Sequence, residues 1–227
     1  MHLRILLLFL LLLTGNTSCV GPVTTQDDVD PPGWAYDSIQ FEISPVTSAA
    51  LPDNTALEWF RDQLHIYRIC DRAHVTFIVQ QVDDRPGPPL WDLGSLTAYT
   101  SRRRTLYDHD FDDRRLRVFV LYLKGIYLES YGPRILGGIQ FQESVFAIFT
   151  DGSGDREPSV LLHEFGHTIG IAEEQSHGNV DRAHTSHCAN GRCVMYWSTP
   201  ERFSSFDGYC LAYIRDWIKE RNRAKLY

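Results

Sequence analysis

His163-Glu164-Phe165-Gly166-His167-Thr168-Ile169-Gly170 is the stretch on which the fold of this 227-residue chain turns. Two histidines four apart on a helix lie one turn apart on the same face, so both imidazoles can reach one cation. Zinc suits such a pair, and a carboxylate beside the first histidine is placed to act as general base toward an activated water. This reading makes His163 and His167 zinc ligands and Glu164 the catalytic residue of a hydrolase with one catalytic Zn²⁺. Residues 157–171 carry the apolar spacing of an amphipathic helix, with Pro158 tolerated in its first turn. Gly170 stands three residues after His167, where the helix must stop for the chain to turn back.

Two protein ligands make a poor zinc site, so a third is required. The thermolysin spacing would place a glutamate near residue 187, but no Glu lies between Glu174 and Glu201. Three residues after Gly170, where a third histidine would follow in the related HExxHxxGxxH pattern, stands Glu173. His187 is the leading candidate, and His177, His184 and Glu173 are the alternatives.

Downstream runs His187-Cys188-Ala189-Asn190-Gly191-Arg192-Cys193-Val194-Met195. With the helix motif it resembles the archaemetzincin signature HExxHxxGxxHCxxxxCxM, with about fourteen residues inserted between Ala172 and His187. It is also similar to secreted bacterial metzincin-like proteases. The resemblance covers residues 159–197. It implies a metzincin-type zinc peptidase acting on a peptide or protein substrate, with His163, His167 and His187 as ligands and Glu164 as base. It further implies that Met195 is the Met-turn residue, an apolar floor beneath the metal. Tyr196 follows directly and is a candidate hydrogen-bond donor to a developing oxyanion; the alternative is an aromatic that simply packs. The archaemetzincin C-terminal CxxC is reduced here to Cys210-Leu211-Ala212-Tyr213.

The expected fold is α/β (α+β): a mixed twisted sheet, a backing helix, the active-site helix, the Met-turn and a C-terminal helix. Residues 36–43 and 74–82 read as strands flanking a helix within 51–71, which begins at Pro52-Asp53-Asn54. Residues 83–113, rich in Pro, Gly, Arg and Asp, read as an irregular excursion. Residues 116–123 read as a buried strand, 132–138 as a loop, 139–150 as a strand or hairpin and 206–223 as the last helix. The cleft should lie between an edge strand within 140–150 and the Met-turn, so that an extended peptide can bind by main-chain hydrogen bonds.

Residues 1–18 have the order of a secretory signal peptide: a basic start, an apolar run over 5–13 too short to span a bilayer, then small polar residues. Cys19 follows, either as a lipidation site that would tether the protein to a membrane or beside an ordinary cleavage point. Residues 19–33 read as a linker and 34–227 as the catalytic domain of an exported protein. Of the five cysteines, the four beyond Cys19 permit two disulfides, Cys188 with Cys193 and Cys70 with Cys210. The alternative is a structural zinc site, for which no fourth cysteine is at hand.

A net charge of −7 argues against a nucleic-acid partner, while 43% hydrophobic residues supply a real core. A non-catalytic, zinc-stabilised surface protein that retains the motif is the competing function. The intact Glu164 argues against it, since a purely structural zinc needs no base.

Overall fold

Strand β1 (Ser38–Pro45) opens the central sheet. Helix α1 (Asn54–Ile66) follows, with the Asp53 carboxylate accepting from the Thr55 amide as its N-cap. Strand β2 (Val75–Val79) then returns parallel to β1, Ile39 lying opposite Val75. The βαβ unit expected from the sequence is therefore formed. This computed structural model describes residues 33–46, 51–82, 88–105, 114–129, 132–134, 136–171, 179–184, 186–198 and 201–224. The leader, Cys19, nearly all of the linker, Glu173 and His177 lie outside the described residues.

The stretch 83–113 is not the irregular excursion its composition suggests. It holds a short strand β3 (Leu90–Trp91) and an eleven-residue helix α2 (Leu93–Arg103). Asp92 and Ser95 form a reciprocal capping box at the start of α2. Leu96, Tyr99 and Thr100 then bury one face. The arginines and small residues on the outer face conceal that spacing.

Strand β4 (Arg115–Leu123) pairs parallel with the other side of β1. Strands β5 (Ile126–Glu129) and β6 (Gly132–Arg134) form an antiparallel hairpin that takes β3 as a third strand. Residues 132–134 are thus strand rather than loop, because they supply the pairing partner of β5. Strands β7 (Gly138–Gln142) and β8 (Val145–Phe149) form the hairpin read within 139–150. The main sheet has the order β2-β1-β4-β8-β7, and only β7 runs antiparallel. Among the described residues β7 is the edge strand on one side of the sheet, β2 being the edge on the other. β8 is sealed inside the sheet, so the edge lies slightly earlier in the chain than expected.

Strand alternation divides the core in two. Val118, Val120 and Tyr122 of β4, with Phe146 and Ile148 of β8, face one side. Phe119, Leu121 and Leu123, with Val145, Ala147 and Phe149, face the other. Both faces are covered, so the central strands read as continuous apolar runs. After the single turn α3 (Thr150–Ser153), helix α4 (Glu157–Thr168) packs on the first face. Helix α1 backs it, Phe60 meeting Phe165 edge-on at 5.6 Å. The last helix, α5 (Gly208–Ala224), adds Cys210, Ile214 and Ile218 to the same core. The mixed α/β architecture is the one expected. Among the described residues no helix is long and apolar enough to cross a membrane.

Candidate metal centre

Helix α4 carries the motif, and its two ends explain its placement. At the N-terminus the buried Glu157 carboxylate accepts from the Tyr122 hydroxyl at 2.9 Å and from the Asp53 amide at 3.0 Å. These bonds tie the helix to β4 and to the start of α1. At the C-terminus Gly170 adopts φ 77°, a left-handed conformation that favours glycine. Its amide donates to the His167 carbonyl and the Ile171 amide donates to the Gly166 carbonyl, which closes a Schellman motif. The helix therefore ends at Thr168, one residue after His167, as its glycine predicts.

His163, His167 and His187 converge, with ring nitrogens all within 4.8 Å of one another. The Nε2 atoms of His163 and His167 are 3.1 Å apart. Two imidazoles on a tetrahedral zinc would stand roughly 3.3 Å apart, given Zn–N bonds near 2.0–2.1 Å. His163 Nδ1 lies 2.7 Å from the Val194 carbonyl, which can only accept. Nδ1 therefore holds the proton, and Nε2 presents its lone pair to the cluster. Burial, then the neighbouring His187, lowers the His163 pKa to about 4. His167 is also held well below the usual histidine value, by burial and by both neighbouring imidazoles. Neutral imidazoles are the form a metal needs. The donor set, its spacing and its protonation fit zinc.

His187 is delivered by a short antiparallel pairing. Val180 bridges Cys188, the Ala189 amide donates to the Asn179 carbonyl, and the Asp181 amide donates to the His187 carbonyl at 2.7 Å. Despite the longer spacing after Ala172, His187 reaches the two histidines of α4. His184 does not join the cluster. Its Nδ1 sits 2.9 Å from an Asp181 oxygen and its ring stacks on Trp197.

Glu164 points toward β7. Its carboxylate accepts from the Gln140 amide, and burial raises its pKa to about 8. A Cβ on Gly138 would lie 2.7 Å from Glu164 Cγ, so the close approach of helix and edge strand needs glycine there. Met195 is fully buried beneath the motif, and a Cβ on Gly166 would overlap its sulfur. Tyr196 is half-buried; its amide donates to the Cys193 carbonyl and its ring is tilted against Trp197.

The two disulfides expected from the sequence are not formed: Cys70, Cys188, Cys193 and Cys210 are buried thiols. Cys70 lies apart, at the bridge to Tyr36, where burial pushes its thiol up to about 12. The other three converge with Asp207, their ligand atoms within 4.8 Å of one another. The Cys193 and Cys210 sulfurs are 3.4 Å apart. That is too far for a disulfide but close to the roughly 3.8 Å separating two thiolates on a tetrahedral zinc. A Cys210 thiol donating to Cys193 lowers the Cys193 pKa and raises that of Cys210.

The fourth donor that the sequence reading did not find is thus a carboxylate. Asp207 Oδ1 accepts from the Cys210 amide at 3.0 Å, in the manner of an N-cap for α5. Its Oδ2 meets the Cys188 thiol and the Asn190 side chain. A cap is the ordinary explanation of an aspartate three residues before a helical cysteine, and it hides the second role. Gln140, Gly138 and Val194 also act through position alone and carry no sequence mark.

No protein-family model matches the chain, and no curated protein matches it. Solved structures do. Archaemetzincin from Methanopyrus kandleri matches with a TM-score of 0.53 at 14% identity, over 80% of this chain and 96% of that one. Metalloproteinase-II from Bacteroides fragilis matches with a TM-score of 0.49 at 15% identity, over 83% of this chain and 55% of that one. The zinc-dependent peptidase from Methanocorpusculum labreanum (strain Z) gives 0.44 at 14% identity, over 78% of this chain and all 100% of that one. At 14% identity the first of these likenesses is one of architecture, and on it this chain carries the archaemetzincin fold.

Proposed function

We propose that this protein is an exported zinc-dependent peptidase. The observation that carries the reading is the convergence of His163, His167 and His187 beside the buried carboxylate of Glu164 and the free edge of β7. His163, His167 and His187 would hold zinc, which when bound would supply Lewis acidity toward a substrate carbonyl and a water. Glu164 would accept the proton of the attacking water and pass it to the leaving nitrogen. A carboxyl whose pKa burial has raised is suited to holding a proton between the two transfers. The outer edge of β7 binds the substrate backbone in extended form. The floor is Met195, and the Val194 carbonyl keeps His163 in the tautomer a metal requires. Tyr196, the residue after Met195, would donate a hydrogen bond to the developing oxyanion.

Cys188, Cys193, Asp207 and Cys210 hold a second, structural zinc in this reading, since four protein ligands leave no position for a substrate. Export rests on residues 1–18 alone.

The test is a digest of a mixed peptide library by zinc-loaded residues 20–227, read by mass spectrometry beside the same chain carrying Glu164→Gln. Cleavage should fall about 10²–10⁴-fold in the variant while its zinc content stays unchanged. Hydrolysis that survives in the variant would remove Glu164 from the mechanism. Absence of cleavage by either protein would favour a zinc-stabilised binding protein.

A further inference from the structure

We propose that His184 and Trp197 form a specificity platform beside the histidine cluster, which takes an aromatic side chain of the peptide substrate. The inference rests on the peptidase reading and names the substrate class of that same site.

Trp197 stands out among the five tryptophans of the chain because it is 44% exposed. Trp91 is buried, while Trp34, Trp59 and Trp217 are partly covered and set against His65, Phe203 and Tyr36. An indole left in water forgoes a large hydrophobic gain, which a ligand can recover. Trp197 is nevertheless held in place. The His184 ring lies over it at 4.4 Å with an interplanar angle of 11°. His184 Nδ1 is in turn 2.9 Å from Asp181 Oδ2, while Asp181 Oδ1 accepts from the Ala183 amide at 2.8 Å. Both Asp181 oxygens are therefore engaged. The Asp181 amide bonds the His187 carbonyl at 2.7 Å, so the unit is fastened to the backbone of the third histidine.

The other end of the platform is fastened too. Trp197 is two residues from Met195, whose carbonyl accepts from the Cys188 amide. Two rings tied to the His187 segment on one side and to the Met195 turn on the other are held in place before substrate arrives. Pre-ordering lowers the entropic cost of binding. Tyr196, tilted at 51° and 5.8 Å from Trp197, extends the aromatic surface.

The chemistry selects an aromatic guest. The platform offers flat π-surface, which another ring meets by offset stacking or edge-on contact. An aliphatic side chain would gain area but no ring–ring term.

The test uses zinc-chelating amino-acid hydroxamates, which report on the platform whether or not peptides are cleaved. Phenylalanine hydroxamate and alanine hydroxamate would be titrated calorimetrically into the zinc-loaded protein, Trp197→Ala and Trp197→Leu. Zinc content and melting temperature would be measured on each. The phenylalanine compound should bind the unaltered protein about tenfold more tightly than the alanine compound. That ratio should fall to near unity in both variants while zinc content holds. Trp197→Leu keeps apolar bulk and serves if the alanine variant does not fold. Equal binding of the two compounds to the unaltered protein, or a preference that survives both substitutions, overturns the platform. Loss of zinc from both variants overturns it as well, since the pair would then only support His187. A missing Glu164-dependent hydrolysis with an intact hydroxamate ranking would overturn the peptidase reading and leave the platform standing.

Discussion

Two clusters capable of holding a metal lie back to back in this molecule, and consecutive residues, His187 and Cys188, feed one each. The first is built of three imidazoles, with a buried carboxylate and a free strand edge alongside. The second is built of three thiols and a carboxylate. Three protein ligands leave a tetrahedral ion one open position; four close it. In the reading proposed above, chemistry belongs to the first cluster and stability to the second. The backbone between them serves both: the Val194 carbonyl orients His163, while the Cys188 amide bonds the Met195 carbonyl. On that reading the closed cluster is the frame on which the open one is hung.

The sharpest way to break that division is to open the closed cluster. In Cys193→Ser the metal content should drop from two ions to one, and the melting temperature should fall by about 10 °C or more. Elemental analysis and a circular-dichroism melt read both quantities. A variant that retains two ions and its melting temperature would show that the thiols are merely packed.

The open cluster should respond in the opposite sense. His187→Ala should weaken zinc binding about a hundredfold or more while melting of the metal-free protein moves little. His184→Ala should leave zinc affinity within about threefold, because that ring is committed to Asp181 and Trp197. Competition with a chelator of known affinity measures both. If the two variants lose zinc equally, His184 supports the ligand set and the two loop histidines have not been separated.

What the sequence discloses about the two clusters differs for a physical reason. The open one rests on helical periodicity, so His163 and His167 four apart, the apolar face of α4 and the stop at Gly170 are all local signals. Strands β4 and β8 are legible in the same way, as continuous apolar runs. The closed one depends on contacts between segments far apart in the chain. The proximity of Cys188 and Cys193 in sequence suggests a short disulfide loop, yet Cys193 meets Cys210 instead. Asp207 looks like a cap because it is one, and nothing local marks its second oxygen. Helix α2 was hidden by composition: its exposed arginines and small residues outweigh the spacing of Leu96, Tyr99 and Thr100. The leader and Cys19 belong to a third category, legible as an address but outside the described residues.

The smallest expected effect bears on why Glu164 can serve the open cluster, and the metal-free protein isolates it. Burial raises the Glu164 pKa from its ordinary 4.5 to about 8, so the folded state favours the protonated carboxyl. Between those values the folded chain binds more protons than the unfolded one, and stability must fall as pH rises through that window. Glutamine has no proton to lose and escapes the penalty. Metal-free Glu164→Gln should therefore melt close to the unaltered protein near pH 5 and above it near pH 8, by on the order of 5 °C. Acidification destabilises both alike, because His163 and His167 stay neutral in the fold and take up protons on unfolding. The difference between the two melting curves thus cancels the histidines and reports Glu164 alone. A difference that does not widen between pH 5 and pH 8 would mean that this carboxyl is solvated, and that burial does not raise its proton affinity.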